Sequence, residues 1–348
     1  MGTRTTYDCL NHIIGCFVKL AISRLIRATS KFLYYLENPL TEIHALCKDM
    51  VKHTRFLQRG PNRAAIIIEF QRSGCLHCPR GMNANFGNIT RRQFLLLAAL
   101  ASPAVVCADA KWIEPHWVKV RSIKLAEEKP SHRIVHITDI HHKGDRPYLE
   151  SVVRKINALS PDAVCFTGDL IEQKQFVAEV LRGLEGIKSP LYGVPGNHDY
   201  WSDAVFGDIR KSFARTGGAW LMDSQVMTAD GKIQIAGATC LRGAPAPLVP
   251  KAGAKNILLL HYPLLAERVR NKFDLMLAGH SHGGQVRIPF YGALVLPFWV
   301  GRYQVGMFRL PAGPLYVNPG IGWLCTPIRF NCRPEITVFK LEVAKSSL

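Results

Sequence analysis

The chain is 348 residues long, carries a formal charge of +18 and is 48% hydrophobic, which is enough for a substantial buried core. No repeat period, collagen, coiled-coil or low-complexity pattern runs through it, and ten cysteines scattered over that length exclude a small disulfide scaffold. The basic balance favours anionic partners (phosphate esters, nucleic acid or acidic lipid head groups) without choosing among them.

Residues 1–81 carry no legible domain. Ile13 to Leu36 mixes apolar residues with Lys19, Arg24, Arg27 and Lys31, the composition of a basic interfacial helix. Cys75-Leu-His-Cys78 has CxxC spacing, but no second ligand pair follows, which argues against a zinc knuckle. The run Asn88-Ile-Thr90-Arg91-Arg92-Gln93-Phe94-Leu95 is followed by an apolar stretch to Ala101 and then by Ala108-Asp109-Ala110. It resembles a twin-arginine export signal with an A-x-A-like exit. Met82 supplies such a signal with a short n-region, so residues 1–81 read as an over-extended start, 82–110 as the signal and 111–348 as the folded domain. The apolar run is short beside the ~20 residues of a membrane-spanning helix, although an uncleaved signal would still anchor. The resemblance implies the twin-arginine translocase as a partner. It also implies a location in the periplasm or at the outer face of the cytoplasmic membrane.

From Lys111 the pattern becomes regular. Ile134-Val-His-Ile-Thr is a β-branched run ending at Asp139, and a helical pattern follows from Tyr148 to Leu159. Ala163-Val-Cys-Phe-Thr is a second strand, with Cys165 expected as a buried thiol. A helix from Phe176 to Leu184, a strand at Leu191-Tyr-Gly-Val and a helix around Ala204–Arg215 continue the alternation. Strands are expected near Ala219–Met222, Ile233–Ala236, Ile257–Leu260 and Leu275–Ala278, with a helix from Leu264 to Arg270 before the last. The remainder reads as a second sheet, over Gln285–Ile288, Gln304–Arg309, Leu315–Val317 and Ile336–Leu341. Strand–helix alternation followed by a β-rich half predicts an α/β fold with two packed sheets and helices outside. Cys325 and Cys332 form a pair that only an oxidising compartment would bridge.

Five strand ends carry polar residues with no core role: Asp139-Ile-His141, Gly168-Asp169, Gly196-Asn197-His198-Asp199, His261 and Gly279-His280-Ser281-His282-Gly283-Gly284-Gln285. Each alone is an ordinary turn, cap or solvated histidine. In α/β folds, however, the carboxyl ends of strands form the binding crevice, so clusters far apart in sequence converge there. In this order they resemble the D-x-H, GD, GNH[DE], H and GHxH motifs of the calcineurin-like metallophosphoesterases, over about Ile134 to His282. Gly279 to Pro289 and Arg329-Phe-Asn-Cys-Arg-Pro-Glu-Ile336 resemble an exported bacterial branch, with UDP-2,3-diacylglucosamine diphosphatases of lipid A synthesis as relatives.

The resemblance implies a four-layer α-β-β-α sandwich of two mixed sheets and a site for two divalent cations. One cation falls to Asp139, His141, Asp169 and His282, the other to Asp169, Asn197, His261 and His280, with the Asp169 carboxylate bridging. Mixed imidazole, carboxylate and amide donors suit Mn, Fe or Zn. His198 is implied as general acid toward the leaving oxygen, and Glu172 and Asp199 are alternatives for the carboxylate that orients it. Gly283 and Gly284 are expected to leave space for the phosphate, and Arg333 to contact substrate. The reaction implied is hydrolysis of a phosphate ester, in particular a phosphodiester, by water activated between the cations.

The substrate is less legible. Ile288-Pro-Phe-Tyr-Gly-Ala-Leu-Val-Leu-Pro-Phe-Trp-Val300 is apolar for a stretch beside a polar site. It reads either as internal sheet packing or as an interfacial loop with Tyr291 and Trp299 at head-group level. With Arg287, Arg302, Arg329 and Arg333, the second reading suits a lipid-linked phosphate or another phosphorylated small molecule, with peripheral membrane association. A UDP-lipid diphosphatase is the runner-up, and a noncatalytic scaffold of the same fold stands against a full set of seven ligand positions. Nothing beyond net charge supports nucleic acid. Replacing the Met82 codon should abolish the exported product; an immunoblot in which only loss of Met1 abolishes it would overturn the early-start reading.

Overall fold

In the computed structural model the described residues are 90–241 and 245–343; residues 1–89, with Cys75, Cys78 and Met82, lie outside them. Backbone contacts divide the chain after Ala104, inside the segment 82–110. Helix α1, Arg91–Ala108, begins on the arginine pair, and Pro103 lies within it. No described helix is long and apolar enough to cross a membrane.

From Val105 onward two six-stranded sheets carry the fold. The first has β1 (Lys119–Lys124), β2 (His132–Ile137), β3 (Ala163–Phe166), β4 (Leu191–Gly193), β5 (Ala219–Trp220) and β14 (Glu335–Leu341), in the order β1-β14-β2-β3-β4-β5. Strands β2 to β5 run parallel, and β14 enters antiparallel to β2. The second sheet has β6 (Ser224–Met227), β7 (Ile233–Gly237), β8 (Lys255–Leu259), β9 (Leu275–Ala278), β12 (Gly306–Leu310) and β13 (Gly313–Val317). Its order is β12-β13-β9-β8-β7-β6. A short hairpin, β10 (Arg287–Ile288) with β11 (Gly292–Ala293), stands apart.

Alternating side chains sort the strands into layers. On β2 and β3, Ile134, Ala163 and Cys165 face the second sheet, where Ile235, Ile257, Leu259, Leu275 and Leu277 meet them. Val135, Ile137, Val164 and Phe166 face the opposite way, onto helices α2 (Arg146–Ala158), α3 (Val177–Leu184) and α5 (Phe206–Arg215). Helix α2 buries Leu149, Val152, Val153 and Ile156 at helical spacing, and Asp145 caps it by accepting the Tyr148 amide at 3.1 Å. Each such buried branched side chain contributes about 1.5–3 kcal/mol. The outer face of the second sheet (Leu258, Met276, Leu315, Val317) is covered by Ala266, Phe273 and Tyr303, from a 3-10 turn at Pro263–Arg268 and irregular chain.

The mixed two-sheet fold expected from the sequence is therefore present, with local differences. Ile336–Leu341 joins the first sheet rather than the second, because β14 pairs with β1 and β2. An apolar run states that a strand is buried, not which strand it bonds to. The helix expected over Leu264–Arg270 is a 3-10 turn opened by Pro263. Strand β6 was not anticipated: Ser-Gln-Val-Met is an edge strand with little burial to mark it.

One buried cation organises the chain after β13. Arg329 is fully buried, and its guanidinium donates to the carbonyls of Pro319 (2.9 Å), Gly322 (3.1 Å from Nε) and Cys332 (2.8 Å). The loop it gathers is bonded to the end of β2, with Ile321 and Gly322 amides on the Thr138 and Asp139 carbonyls at 2.9 and 2.7 Å. Arg329 is therefore a structural clamp behind Asp139, not a substrate-facing arginine. Cys332 is a buried thiol with no disulfide to Cys325, and its Sγ donates to the His282 carbonyl at 3.3 Å. Replacing Arg329 by Met should cost at least about 3 kcal/mol in urea unfolding, and Lys should not restore it, since one ammonium cannot serve these diverging carbonyls.

Candidate metal centre

Seven side chains named from the sequence meet where the two sheets' parallel strands end. Asp139 and His141 follow β2, Asp169 follows β3, Asn197 opens the short helix α4 (Asn197–Trp201) after β4, His261 follows β8, and His280 and His282 follow β9. All seven are buried. Five of them hold the left-handed backbone conformation: Asp139 (φ 52°), His141 (43°), Asp169 (62°), His280 (66°) and His282 (49°). Such residues cost roughly 1–3 kcal/mol each and persist where the surroundings over-determine them. Close approach of the ligand loops requires glycine at two neighbours. A Cβ on Gly168 would lie 2.5 Å from the Gly196 nitrogen, and one on Gly279 would lie 2.3 Å from Asp139 Oδ2.

The atoms form two adjoining sets. In one, His141 Nε2 lies 3.1 Å from His282 Nε2, 3.8 Å from Asp139 Oδ1 and 3.3 Å from Asp169 Oδ2, while His282 Nε2 lies 3.4 Å from Asp139 Oδ1. In the other, His261 Nε2 is 2.9 Å from Asn197 Oδ1 and 3.3 Å from that same Asp169 Oδ2, and His280 lies with Asp169 and His261. A single carboxylate oxygen thus stands between the sets, while Asp169 Oδ1 accepts the His198 amide at 2.8 Å.

The donor atoms fit cations. His261 Nδ1 donates to the Thr167 carbonyl at 2.7 Å, so in the neutral ring Nε2 presents a lone pair to two oxygen acceptors. His280 Nε2 donates to the Phe298 carbonyl at 2.8 Å, leaving Nδ1 for the centre. His141 Nδ1 sits 2.6 Å from Glu172 Oε1, again leaving Nε2. Imidazoles held from behind in this way are the arrangement that orients metal-ligating histidines. Acceptor facing acceptor in a buried site is unfavourable until positive charge enters.

Protons supply that charge when cations do not. Burial lowers the His261 pKa, but the Asp169 carboxylate outweighs it and raises it to about 9. For His141, burial is likewise outweighed by Asp139 and Asp169, and the pKa rises. Burial and the His261 charge press His280 down to about 3, so this ring is neutral. Asp169 stays ionised: burial opposes its charge, and His261 and His198 override that and lower its pKa.

Around this centre the structure separates the remaining expectations. Glu172 Oε2 lies 3.3 Å from His198 Nδ1, so one carboxylate touches both a ligand ring and the ring beside it. Asp199 does not orient His198. Its oxygens are taken by the backbone amides of Asp169 (3.0 Å), Leu170 (2.8 Å) and Gly196 (2.8 Å), and burial and then Asp169 raise its pKa to about 6. Gly283 does not open space for phosphate: its missing Cβ would stand 2.6 Å from Cys332 Sγ, and its amide is bonded to Ser281 Oγ at 3.1 Å. Gly284 packs likewise on Ala293. Arg333 does not enter the site; it stacks 3.8 Å over the Trp117 ring, and its Nε donates to the Trp117 carbonyl at 2.9 Å. His198 lies close enough to His141 and Asp169 to rival the named ligands. The contact of Glu172 with His141, Lys143 Nζ 3.7 Å from Glu172, and the Arg329 clamp were not read from the sequence, since no spacing signals them.

A mixed two-sheet α/β fold thus gathers a buried His/Asp/Asn cluster that could hold metal ions across its strand ends. The family model for calcineurin-like phosphoesterases matches residues 132–284, which contain all seven side chains. YkuE of Bacillus subtilis, an uncharacterized metallophosphoesterase, is 32% identical over 287 residues, covering 73% of this chain and 98% of that protein. Phosphodiesterase YaeI of Escherichia coli is 28% identical and covers 73% and 99%. The UDP-2,3-diacylglucosamine pyrophosphatase LpxG of Chlamydia trachomatis is 26% identical and covers 70% and 95%. The chain belongs to the calcineurin-like metallophosphoesterases and is a phosphate ester hydrolase.

Cation binding should displace the protons on His141 and His261. Affinity for Mn²⁺ should therefore rise with pH and still be rising as pH approaches about 9, where the His261 proton is lost. Calorimetry in buffers of different ionisation enthalpy reads the released protons, and binding without release would contradict this. Asp169→Asn, which disturbs both sets at once, should bind neither ion.

Proposed function

We propose that this chain hydrolyses phosphodiester bonds through two divalent cations, one held by Asp139, His141, Asp169 and His282 and one by Asp169, Asn197, His261 and His280. The observation that carries the reading is the single Asp169 oxygen 3.3 Å from both His141 and His261. Mn, Fe or Zn ions held there would supply Lewis acidity toward phosphoryl oxygens and water.

The residues do the remaining work. Glu172 holds His198 at Nδ1, which leaves Nε2 free to face the leaving oxygen, so His198 is the group placed to deliver the proton that the alkoxide requires. The same carboxylate fixes His141, tying acid and ligand to one support. The exposed Trp201 ring, 4.9 Å from His198, screens that ring from bulk water on one side. Asp199 pins the Asp169 turn to the start of α4 and keeps the bridging oxygen in place.

Export by the twin-arginine route, read from Arg91-Arg92, sets the enzyme at the outer face of the cytoplasmic membrane or in the periplasm. Phosphorylated envelope lipids or small molecules are its substrates in this reading. The name of the E. coli relative supports a phosphodiester. A second reading, cleavage of a UDP-linked lipid diphosphate, is favoured by the similarity to LpxG. A panel of bis(p-nitrophenyl) phosphate, monoesters and UDP-diacylglucosamine with the metal-loaded protein separates the two. Phosphodiester turnover supports the first, and hydrolysis confined to the diphosphate overturns it. His198→Ala should keep both ions by elemental analysis while turnover falls ~10²–10⁴-fold; loss of both ions would move His198 into the ligand set.

A further inference from the structure

The β10–β11 hairpin and the segment after it are not internal packing. Phe290, at the hairpin tip with φ 67°, is fully exposed, and Tyr291 is 75% exposed. Ile288, Leu294, Val295 and Phe298 are each about half exposed. Large apolar side chains displayed side by side along one short segment mark an interaction surface.

This surface is bonded to the metal centre. The Phe298 carbonyl holds His280, and Trp299 stacks on Tyr262 (5.9 Å, 9° between planes), whose ring meets that of His280 at 4.4 Å. The hairpin itself is fastened, with the Leu294 amide on the Val286 carbonyl at 3.1 Å and Arg287 Nη1 on the Gly283 carbonyl at 2.8 Å. On the His198 side, Trp201 is likewise exposed. Aromatic rings therefore stand at both the His280 and the His198 ends of the site.

The charge of this region chooses the occupant. From Leu275 to Pro334 the chain contains no Asp or Glu, and besides the buried Arg329 and the Trp117-stacked Arg333 it carries Arg287, Arg302 and Arg309. Arg268 lies over the Trp299 ring at 5.7 Å and Arg302 over Tyr303 at 5.2 Å. A second copy of a chain of charge +18 would bring like charge to like. Aromatic and aliphatic side chains interleaved with arginines suit the head-group level of an anionic bilayer, where rings enter the interface and guanidinium groups meet phosphate.

We propose that the β10–β11 hairpin, the segment to Trp299 and Trp201 form an interfacial rim that seats the site on an anionic membrane surface, so that phosphodiester head groups reach it from the membrane plane. This deepens, and rests on, the phosphodiesterase reading. The test uses the full chain with vesicles of phosphatidylcholine, alone or mixed with phosphatidylglycerol, and the double variant Phe290→Ser/Tyr291→Ser. The wild type should sediment with the mixed vesicles and much less with phosphatidylcholine alone. The variant should bind the mixed vesicles roughly 10-fold more weakly, while hydrolysing soluble bis(p-nitrophenyl) phosphate at the wild-type rate. Equal sedimentation of wild type and variant, or no preference for the anionic vesicles, overturns the rim. So does gel filtration showing a wild-type dimer that the variant converts to monomer, since the patch is then an interface between copies. Retained vesicle binding with no hydrolysis of any phosphodiester would instead overturn the phosphodiesterase reading and leave the rim standing.

Discussion

The structure turns on one buried oxygen, Asp169 Oδ2, which lies equally close to imidazoles from β2 and β8, strands of opposite sheets. A carboxylate taken out of water is costly unless positive charge surrounds it. Here the charge comes from both sheets, so neither sheet can shift against the other without exposing that cost. The sheet-on-sheet core around Ile134, Cys165, Ile257 and Leu277 holds the two sets of side chains at a fixed spacing. The left-handed backbone at five of the seven residues is the strain accepted to turn their side chains inward.

A second layer of hydrogen bonds makes the strain tolerable. Thr167, Phe298 and Glu172 each occupy the rear nitrogen of one histidine, and each thereby aims the front nitrogen at the centre. Behind Asp139, the Arg329 clamp fixes the loop after β13 to the end of β2. Asp199, between the β3 and β4 ends, binds three amides that would otherwise be buried without partners. These groups never reach a substrate, yet the positions of those that do depend on them.

Beyond the centre the chain separates its chemistry by region. The candidate metal-binding side chains and their supporting carboxylates fall before Asp274 or on the β9 end, while the stretch from Leu275 to Pro334 is free of acids and displays apolar side chains outward between Ile288 and Trp299. A phosphoanion approaching the site meets no carboxylate from this stretch, which lowers the electrostatic cost of its approach.

The family, the seven side chains that meet at the centre and most of the parallel strands were legible in the sequence, because those rest on local facts. Strand ends such as Asp139-Ile-His141 and Gly196-Asn197-His198 carry their chemistry in adjacent letters, and Leu149, Val152, Val153 and Ile156 declare a helix by spacing alone. What depended on partners far along the chain was not legible. Only the tertiary structure placed β14 in the first sheet, gave Asp199 to the backbone and Glu172 to both His141 and His198, and withdrew Arg329 and Arg333 from the substrate. It also turned the Ile288–Trp299 segment outward. Composition marks a segment as apolar, but whether it faces core or solvent depends on whether a neighbouring layer exists to cover it.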